Sequence, residues 1–225
     1  MGSVGRSPSR FKRIRIAVVD DHPLVREGLT ARISTQPDWE VCCDAADPEQ
    51  ALALIRAGGP DLVIIDLALK HGSGLDLIKQ LAADTPAAKI LVVSAYEEEL
   101  FAERVLRAGA QGYLNKQELN GSVIEAIRTV LRGGVYLSPA MTERIARQVI
   151  SGQGAPRGLE ALSNREMQVF ELIGHGHGTR EIAEQLHLSV HTIESHRENI
   201  RMKLGLRNGT ELLRRAVSWT LGGRD

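Results

Sequence analysis

Between residues 14 and 132 short aliphatic runs alternate with amphipathic stretches, and few folds accept that pattern. The runs are Ile14–Val19, Glu40–Cys43, Leu62–Ile65, Ile90–Val93 and Gly112–Leu114, most of them rich in Val, Ile or Leu. Continuous rather than alternating apolarity marks strands buried on both faces, as in a parallel sheet covered by helices. Between the runs, the spacing predicts helices over Pro23–Ser34, Pro48–Ala57, Gly74–Ala83, Glu98–Ala108 and Glu118–Leu131. Strands alternating with helices in this way form an α/β fold with a five-stranded parallel, doubly wound sheet. Gly58-Gly59-Pro60, Gly109 and Gly133-Gly134 punctuate the helix ends.

The remainder reads differently. Residues 1–13 are Gly/Ser-rich and basic, without the apolar core of a secretion signal, and read as a disordered leader. Past residue 132, Ser138-Pro139 opens a short helix with Ser as N-cap and Pro at the first helical position. Ser151-Gly-Gln-Gly-Ala-Pro-Arg-Gly158 then reads as a flexible linker, so 133–158 connects the α/β domain at 14–132 to a second domain at 159–225. That second domain shows no strand pattern, only four short helical stretches over about 159–219. A chain of 225 residues is long for one domain and short for three, which agrees with two.

Composition bounds the function. The chain is 43% hydrophobic and 25% charged with a formal net charge of zero, so nucleic-acid binding would need a local positive field. The two cysteines, Cys42 and Cys43, are neighbours in an apolar stretch and read as buried reduced thiols, which favours the cytoplasm. No apolar run reaches the ~20 residues that span a bilayer.

Ligands of parallel α/β sheets bind outside the carboxyl ends of the strands. Asp20 and Asp21 follow the first aliphatic run and Asp66 follows the third. Each alone reads as a turn or cap residue, but three carboxylates converging at neighbouring strand ends need a cation, and hard oxygen ligands suit Mg²⁺. Ser94 ends the fourth run and Lys116 lies just past the fifth. Singly they are a turn residue and a surface charge. Together with a cation, a hydroxyl and an ammonium around one carboxylate are what a phosphoryl group on that carboxylate requires.

Asp20-Asp21, Asp66 within DLVIIDLALKHGSGLDLI, Ser94-Ala95 and Gly-Tyr-Leu-Asn-Lys at 112–116 resemble the flavodoxin-like receiver domains of two-component response regulators over essentially all of 14–132. The resemblance implies Asp66 as phospho-acceptor, Mg²⁺ held by Asp20, Asp21, Asp66 and the carbonyl of Ala68, and phosphoryl contacts from Ser94 and Lys116. It also implies that Tyr113 is the family's aromatic switch, where the residues alone read as a half-buried strand aromatic. The sequence departs from the family at Leu69-Lys70-His71, where Met-Pro usually follows the acceptor strand.

In the second domain Leu162-Ser163-Asn164-Arg165-Glu166 has capping-box spacing. A short helix over Thr179–Leu186, a turn at His187-Leu188 and a longer helix capped by Ser189 and stopped by Gly205 make a helix-turn-helix layout. On a helical wheel Val190, Ile193, Ile200 and Leu204 form the core side, and His191, Glu194, Ser195, Glu198 and Met202 the opposite side. A solvated amphipathic helix would show the same periodicity. LSNREMQVFELI, TREIAEQLHLSVHTIESHRENIRMKLGL and ELLRRAV, spanning Leu162–Val217, resemble the LuxR-type DNA-binding domain, which with the receiver gives the architecture of the NarL/FixJ class.

That resemblance implies a non-enzymatic regulator that binds double-stranded promoter DNA, takes phosphate from a sensor histidine kinase and dimerises when active. By position, Glu194, Ser195, Arg197 and Glu198 are candidates for base or groove contacts, and Thr192, His196 and Arg201 for phosphate contacts. Many relatives carry Lys or Arg where Glu194 stands; Glu can accept from cytosine N4, which predicts an altered sequence preference. Residues 159–225 carry nine basic and nine acidic residues, but Arg197 to Arg215 holds six basic against two acidic. Leu212, Leu213, Ala216 and Val217 read either as a dimer surface or as core.

Two other readings compete. The receiver can serve as a phosphate-independent interaction module, which the departure at Lys70-His71 would suit. A haloacid-dehalogenase-type phosphatase would need a second Asp two residues past the nucleophile, where Ala68 stands.

Overall fold

A computed structural model of the chain describes residues 13–69, 72–151, 158–186 and 188–221. Two compact units divide between Ser138 and Pro139. The leader at 1–12, Lys70 and His71, most of the linker and His187 lie outside the described residues.

The first unit alternates β1 (Ile14–Val19), α1 (Pro23–Ile33), β2 (Trp39–Ala45), α2 (Pro48–Gly58), β3 (Leu62–Ile65), α3 (Gly74–Asp84), β4 (Lys89–Ser94), α4 (Glu98–Ala108), β5 (Gly112–Asn115) and α5 (Leu119–Leu131), with a 3₁₀ turn at Lys116–Glu118 before α5. All the pairings are parallel and the strand order is β2-β1-β3-β4-β5. Along each strand, successive side chains face opposite sides. Ile16, Val18, Leu62, Ile64, Leu91, Val93 and Leu114 pack with Leu29, Ile33, Val123, Ile127 and Val130 of α1 and α5 in one cluster. The alternate set, including Ala17, Val19, Val63, Ile65 and Val92, is buried as well, which is why every residue of β3 had to be apolar.

Local chemistry fixes the helix limits. Asp47 and Ser73 accept from the amides of Gln50 and Asp76 at the starts of α2 and α3, and Gly59 and Gly109 end α2 and α4 in the left-handed region. β2 runs longer than its apolar core at Glu40–Cys43 because backbone pairing to β1 continues at this sheet edge. Its cysteines are half-buried rather than buried.

The second unit holds α6 (Pro139–Ser151), a 3₁₀ turn at Gly158–Ala161, α7 (Asn164–Gly174), α8 (Thr179–Gln185), α9 (Val190–Leu204) and α10 (Gly209–Thr220). At 13 residues α6 is a full helix rather than a short one. Leu162, Met167, Phe170, Ile173, Ile182, Ile193, Ile200, Leu212 and Ala216 are buried. Gly174 lets α7 approach α10 closely, since a Cβ there would meet the Ala216 carbonyl oxygen at 2.6 Å. One helical reading changes, since Val190 is exposed rather than in the core, and of the α10 residues left open between surface and core, Leu212 and Ala216 are interior while Leu213 is exposed.

Candidate functional site

The order β2-β1-β3 means that the chain leaves β1 toward one edge and returns on its other side as β3. This switch point opens a crevice at the carboxyl ends of β1 and β3. Asp20 and Asp21 follow β1 directly and Asp66 follows β3, and all three are buried. Backbone bonds fix the loops that carry them: the Asp66 amide donates to the Val19 carbonyl at 2.8 Å and the Asp20 amide to the Ala45 carbonyl at 3.1 Å. Gly74, at the first turn of α3, is a requirement of this packing, because a Cβ there would run into the Asp66 carbonyl oxygen and lie 2.7 Å from the Leu67 Cα.

Lys116 reaches in from the end of β5. Its Nζ lies 2.6 Å from Asp66 Oδ2 and 2.7 Å from Asp20 Oδ2. The other Asp66 oxygen, Oδ1, accepts from the Ala68 amide at 3.1 Å. Burial pushes the Asp66 carboxyl upward, against the opposing pull of Lys116. At Lys116 burial works against the charge, but the attraction of Asp66 and the bonds from Asp20 and Asp66 outweigh it and hold the ammonium above the usual lysine value. The short contact is that of an ammonium and a carboxylate, so we take the pair as charged.

One oxygen from each carboxylate and a ring nitrogen of His22 lie within 4.8 Å of one another. Three carboxylates in one crevice are a hard donor set that fits a small divalent cation such as Mg²⁺. His22 was not singled out by its spacing. Its imidazole Nδ1 sits 2.7 Å from Asp21 Oδ1 and its amide donates to Asp20 Oδ1 at 2.8 Å. Arg26 was also missed; its Nη1 donates to the Asp20 carbonyl at 2.6 Å and its Nε to Asp44 at 2.9 Å. The only sequence signal for either was proximity to Asp20-Asp21.

Ser94 ends β4, beside β3, and is fully buried. Its Oγ accepts from the Tyr96 amide at 3.4 Å. Tyr113 is 1% exposed, fully rather than half buried, and its hydroxyl donates to the Tyr96 carbonyl at 2.8 Å. Asn115 Nδ2 donates to the same carbonyl at 3.1 Å. Tyr96 thus links the segment after Ser94 to the side chains of β5.

In the second unit the start of α7 anchors both helices of the helix-turn-helix. Ser163 and Glu166 form the expected capping box, with the Ser163 amide donating to Glu166 Oε2 at 2.6 Å. Lys203 of α9 donates to the same Oε2 at 2.6 Å, and Arg165 Nη2 donates to the Leu186 carbonyl, just past α8, at 2.6 Å. Burial opposes the charge on Glu166, yet the bonds from Lys203 and Ser163 hold its carboxyl below the usual range.

The seven candidates on α9 do not form one exposed set. Glu194, Ser195 and Glu198 are exposed, whereas Thr192, His196, Arg197 and Arg201 are partly covered. Thr192 belongs to the helix cap, its amide donating to Ser189 Oγ at 3.0 Å. Ser195 Oγ turns back to the His191 carbonyl at 3.1 Å. Arg201 is engaged by Glu198 Oε2 at 2.7 Å and by the Arg207 carbonyl at 3.3 Å. Burial lowers the His196 and Arg197 values, and among the described residues His196 Nδ1 is buried without a hydrogen bond.

A doubly wound sheet with an acidic crevice, followed by a helix-turn-helix unit, defines a receiver coupled to a DNA-binding domain. The family descriptions agree: residues 16–128 match the response regulator receiver domain and residues 160–216 match the bacterial regulatory proteins of the luxR family. The chain belongs to the two-component response regulators that join a receiver to a LuxR-type helix-turn-helix, and is a phosphorylation-regulated transcriptional regulator.

Among curated relatives, the oxygen regulatory protein NreC of Staphylococcus carnosus is 36% identical over 210 residues, covering 91% of this chain and 97% of that protein. NreC of Staphylococcus aureus is 34% identical over the same length. Among solved structures, a LuxR-family response regulator from Aurantimonas is 34% identical with a TM-score of 0.57, covering 61% of this chain and 99% of its own. The RcsB response regulator of Salmonella typhimurium is 25% identical with a TM-score of 0.70, covering 92% and 98%. Among the described residues no helix is long and apolar enough to cross a membrane.

Proposed function

We propose that Asp66 is the phospho-acceptor, receiving its phosphoryl group from a sensor histidine kinase in the cytoplasm. The observation that carries this reading is Lys116, whose ammonium bridges Asp66 and Asp20 inside a crevice of three buried carboxylates. In the transfer a nitrogen–phosphorus bond of the donor histidine breaks as a bond from an Asp66 carboxylate oxygen to phosphorus forms. Lys116 neutralises charge on the incoming phosphoryl oxygens and Ser94 supplies a hydroxyl donor. Mg²⁺, held by Asp20, Asp21, Asp66 and the Ala68 carbonyl, would offset the remaining negative charge when bound. The protein itself does no turnover chemistry on a separate substrate.

Tyr113 carries the signal onward. Its hydroxyl bond to the Tyr96 carbonyl ties it to the segment that follows Ser94, so a shift of Ser94 toward a phosphoryl group moves both. We assign the receiver to 14–132, a connecting segment to 133–158 and the DNA-binding domain to 159–225. The phosphorylated receiver promotes a homodimer that presents two copies of α9 to promoter half-sites. There Glu194, Ser195, Arg197 and Glu198 face base edges, and Thr192, His196 and Arg201 the phosphates. Incubation with acetyl phosphate and Mg²⁺ tests the acceptor: the wild-type chain gains one phosphoryl group by mass and Asp66→Asn gains none. Equal gain by both proteins overturns the assignment.

A further inference from the structure

β2 lies at the edge of the sheet and pairs with β1 in two registers. Ile16 faces Val41 and Ala17 faces Cys43, so Cys42 is an extra residue with no partner. This is a β-bulge, uncommon between parallel strands. In a regular strand, neighbouring side chains point to opposite faces. At the bulge they converge instead, and the Cys42 and Cys43 sulfurs are 3.9 Å apart, both on half-buried residues.

From this juxtaposition we propose that Cys42 and Cys43 form a bidentate dithiol site for a soft, thiophilic trivalent arsenical. A pyramidal trivalent centre about 2.3 Å from each of two sulfurs holds them roughly 3.5 Å apart, so small side-chain rotations from the 3.9 Å found here bring both within reach. A disulfide needs the sulfurs at about 2.05 Å and its Cα atoms at about 4.4 Å or more, whereas adjacent residues are held at about 3.8 Å. A closed zinc site needs four protein ligands. Among the described residues the one group of three or more metal-ligating side chains is the acidic crevice, so the sulfurs have no third partner of that kind. The ligand must therefore accept two sulfurs and carry its own remaining substituent.

The protonation state favours the same chemistry. Burial, with Cys42 beside it, pushes the Cys43 thiol up to about 11, so that it stays protonated at neutral pH. Oxidants select thiolates. Condensation of an organic arsenous acid with two thiols needs no prior thiolate and no oxidant: two arsenic–oxygen bonds break, two arsenic–sulfur bonds form, and the thiol protons leave in two waters.

The test titrates the reduced 225-residue chain, whose only thiols are these two, with phenylarsine oxide. Expected are one phenylarsenic adduct per chain by intact mass, simultaneous loss of both thiols, and reversal by dimercaptopropanol. Cys42→Ser and Cys43→Ser should each bind roughly a hundredfold more weakly, because the second bond no longer gains from the first. Thermal melting of each variant, with Cys42→Ala and Cys43→Ala beside it, shows that the bulge still folds. Wild-type affinity in a folded single-cysteine variant overturns the site, as does binding of two equivalents or loss of thiols without added arsenic mass.

Discussion

The acidic crevice and the recognition helix perform their roles from opposite physical settings. In the crevice Asp20, Asp21, Asp66 and Ser94 are buried, and backbone bonds to adjacent strands fix Asp20 and Asp66. On α9, Glu194, Ser195 and Glu198 are exposed, and the cations near them are occupied by Glu198, Glu166 or partial burial. A buried charge is worth much because little water screens it, and an exposed one is worth little until a partner excludes water. The crevice is thus prepared before any ligand arrives, whereas in the proposed DNA-binding role the helix would exchange internal ion pairs for contacts with DNA.

The largest effect should come from the prepared side. Lys116→Ala removes the ammonium that bridges Asp66 and Asp20. Losing one preorganised donor costs about 10²–10³ in rate, so labelling by acetyl phosphate should slow at least about a hundredfold. Labelling within threefold of wild type would place the stabilising charge elsewhere.

Next come the close approaches, one in each unit. Gly74→Ala drives a methyl into the backbone after Asp66, and Gly174→Ala drives one into Thr220 and the Ala216 carbonyl. Overpacking of this kind costs about 1–3 kcal/mol, which should appear as a lower melting temperature in each variant. Gly28→Ala, with nothing within 4 Å of its Cβ, is the control and should melt no lower than wild type.

A smaller effect separates charge from capping at Glu166. Its carboxyl is held below the 4.5 of an ordinary glutamate, so the unfolded chain binds the proton more tightly than the folded one. The stabilisation is therefore present above about 4.5 and is lost as pH falls through the depressed folded value. Glu166→Gln keeps capping-box geometry and removes the charge facing Lys203, so the melting of the second unit should fall less than that of wild type as pH drops below about 4.5. Glu166→Ala removes the cap as well, at about 1 kcal/mol. Identical pH profiles for wild type and Glu166→Gln would break this account.

How much of this was legible in the sequence follows from the same contrast. The strands and Asp20, Asp21, Asp66, Ser94 and Lys116 could be placed because a sheet buried on both faces leaves continuous apolar runs, and all of these residues lie at or just past the ends of such runs. His22 and Arg26 could not, since their contacts depend on side-chain torsions that no periodicity encodes. On α9 the wheel located Ile193 and Ile200 in the core but misassigned Val190, since a wheel gives the direction of a side chain and not whether a neighbour covers it. The bulge at Cys42 left no mark in the sequence either, as an extra residue in one strand is visible only against its partner.

The smallest expected effect tests the occupied side of the comparison. Glu198 holds Arg201 at 2.7 Å on the surface of α9, and an exposed pair three residues apart is worth only a few tenths of a kcal/mol. Glu198→Gln should release that guanidinium to a phosphate, raising non-specific affinity for duplex DNA by a few-fold and steepening the salt dependence by about one unit of slope. Adding Arg201→Gln to that variant should return the slope to the wild-type value. Fluorescence anisotropy across a salt series distinguishes the outcomes. An unchanged slope in Glu198→Gln would mean that Arg201 braces the Arg207 loop instead of meeting DNA, leaving the phosphate contacts to other residues.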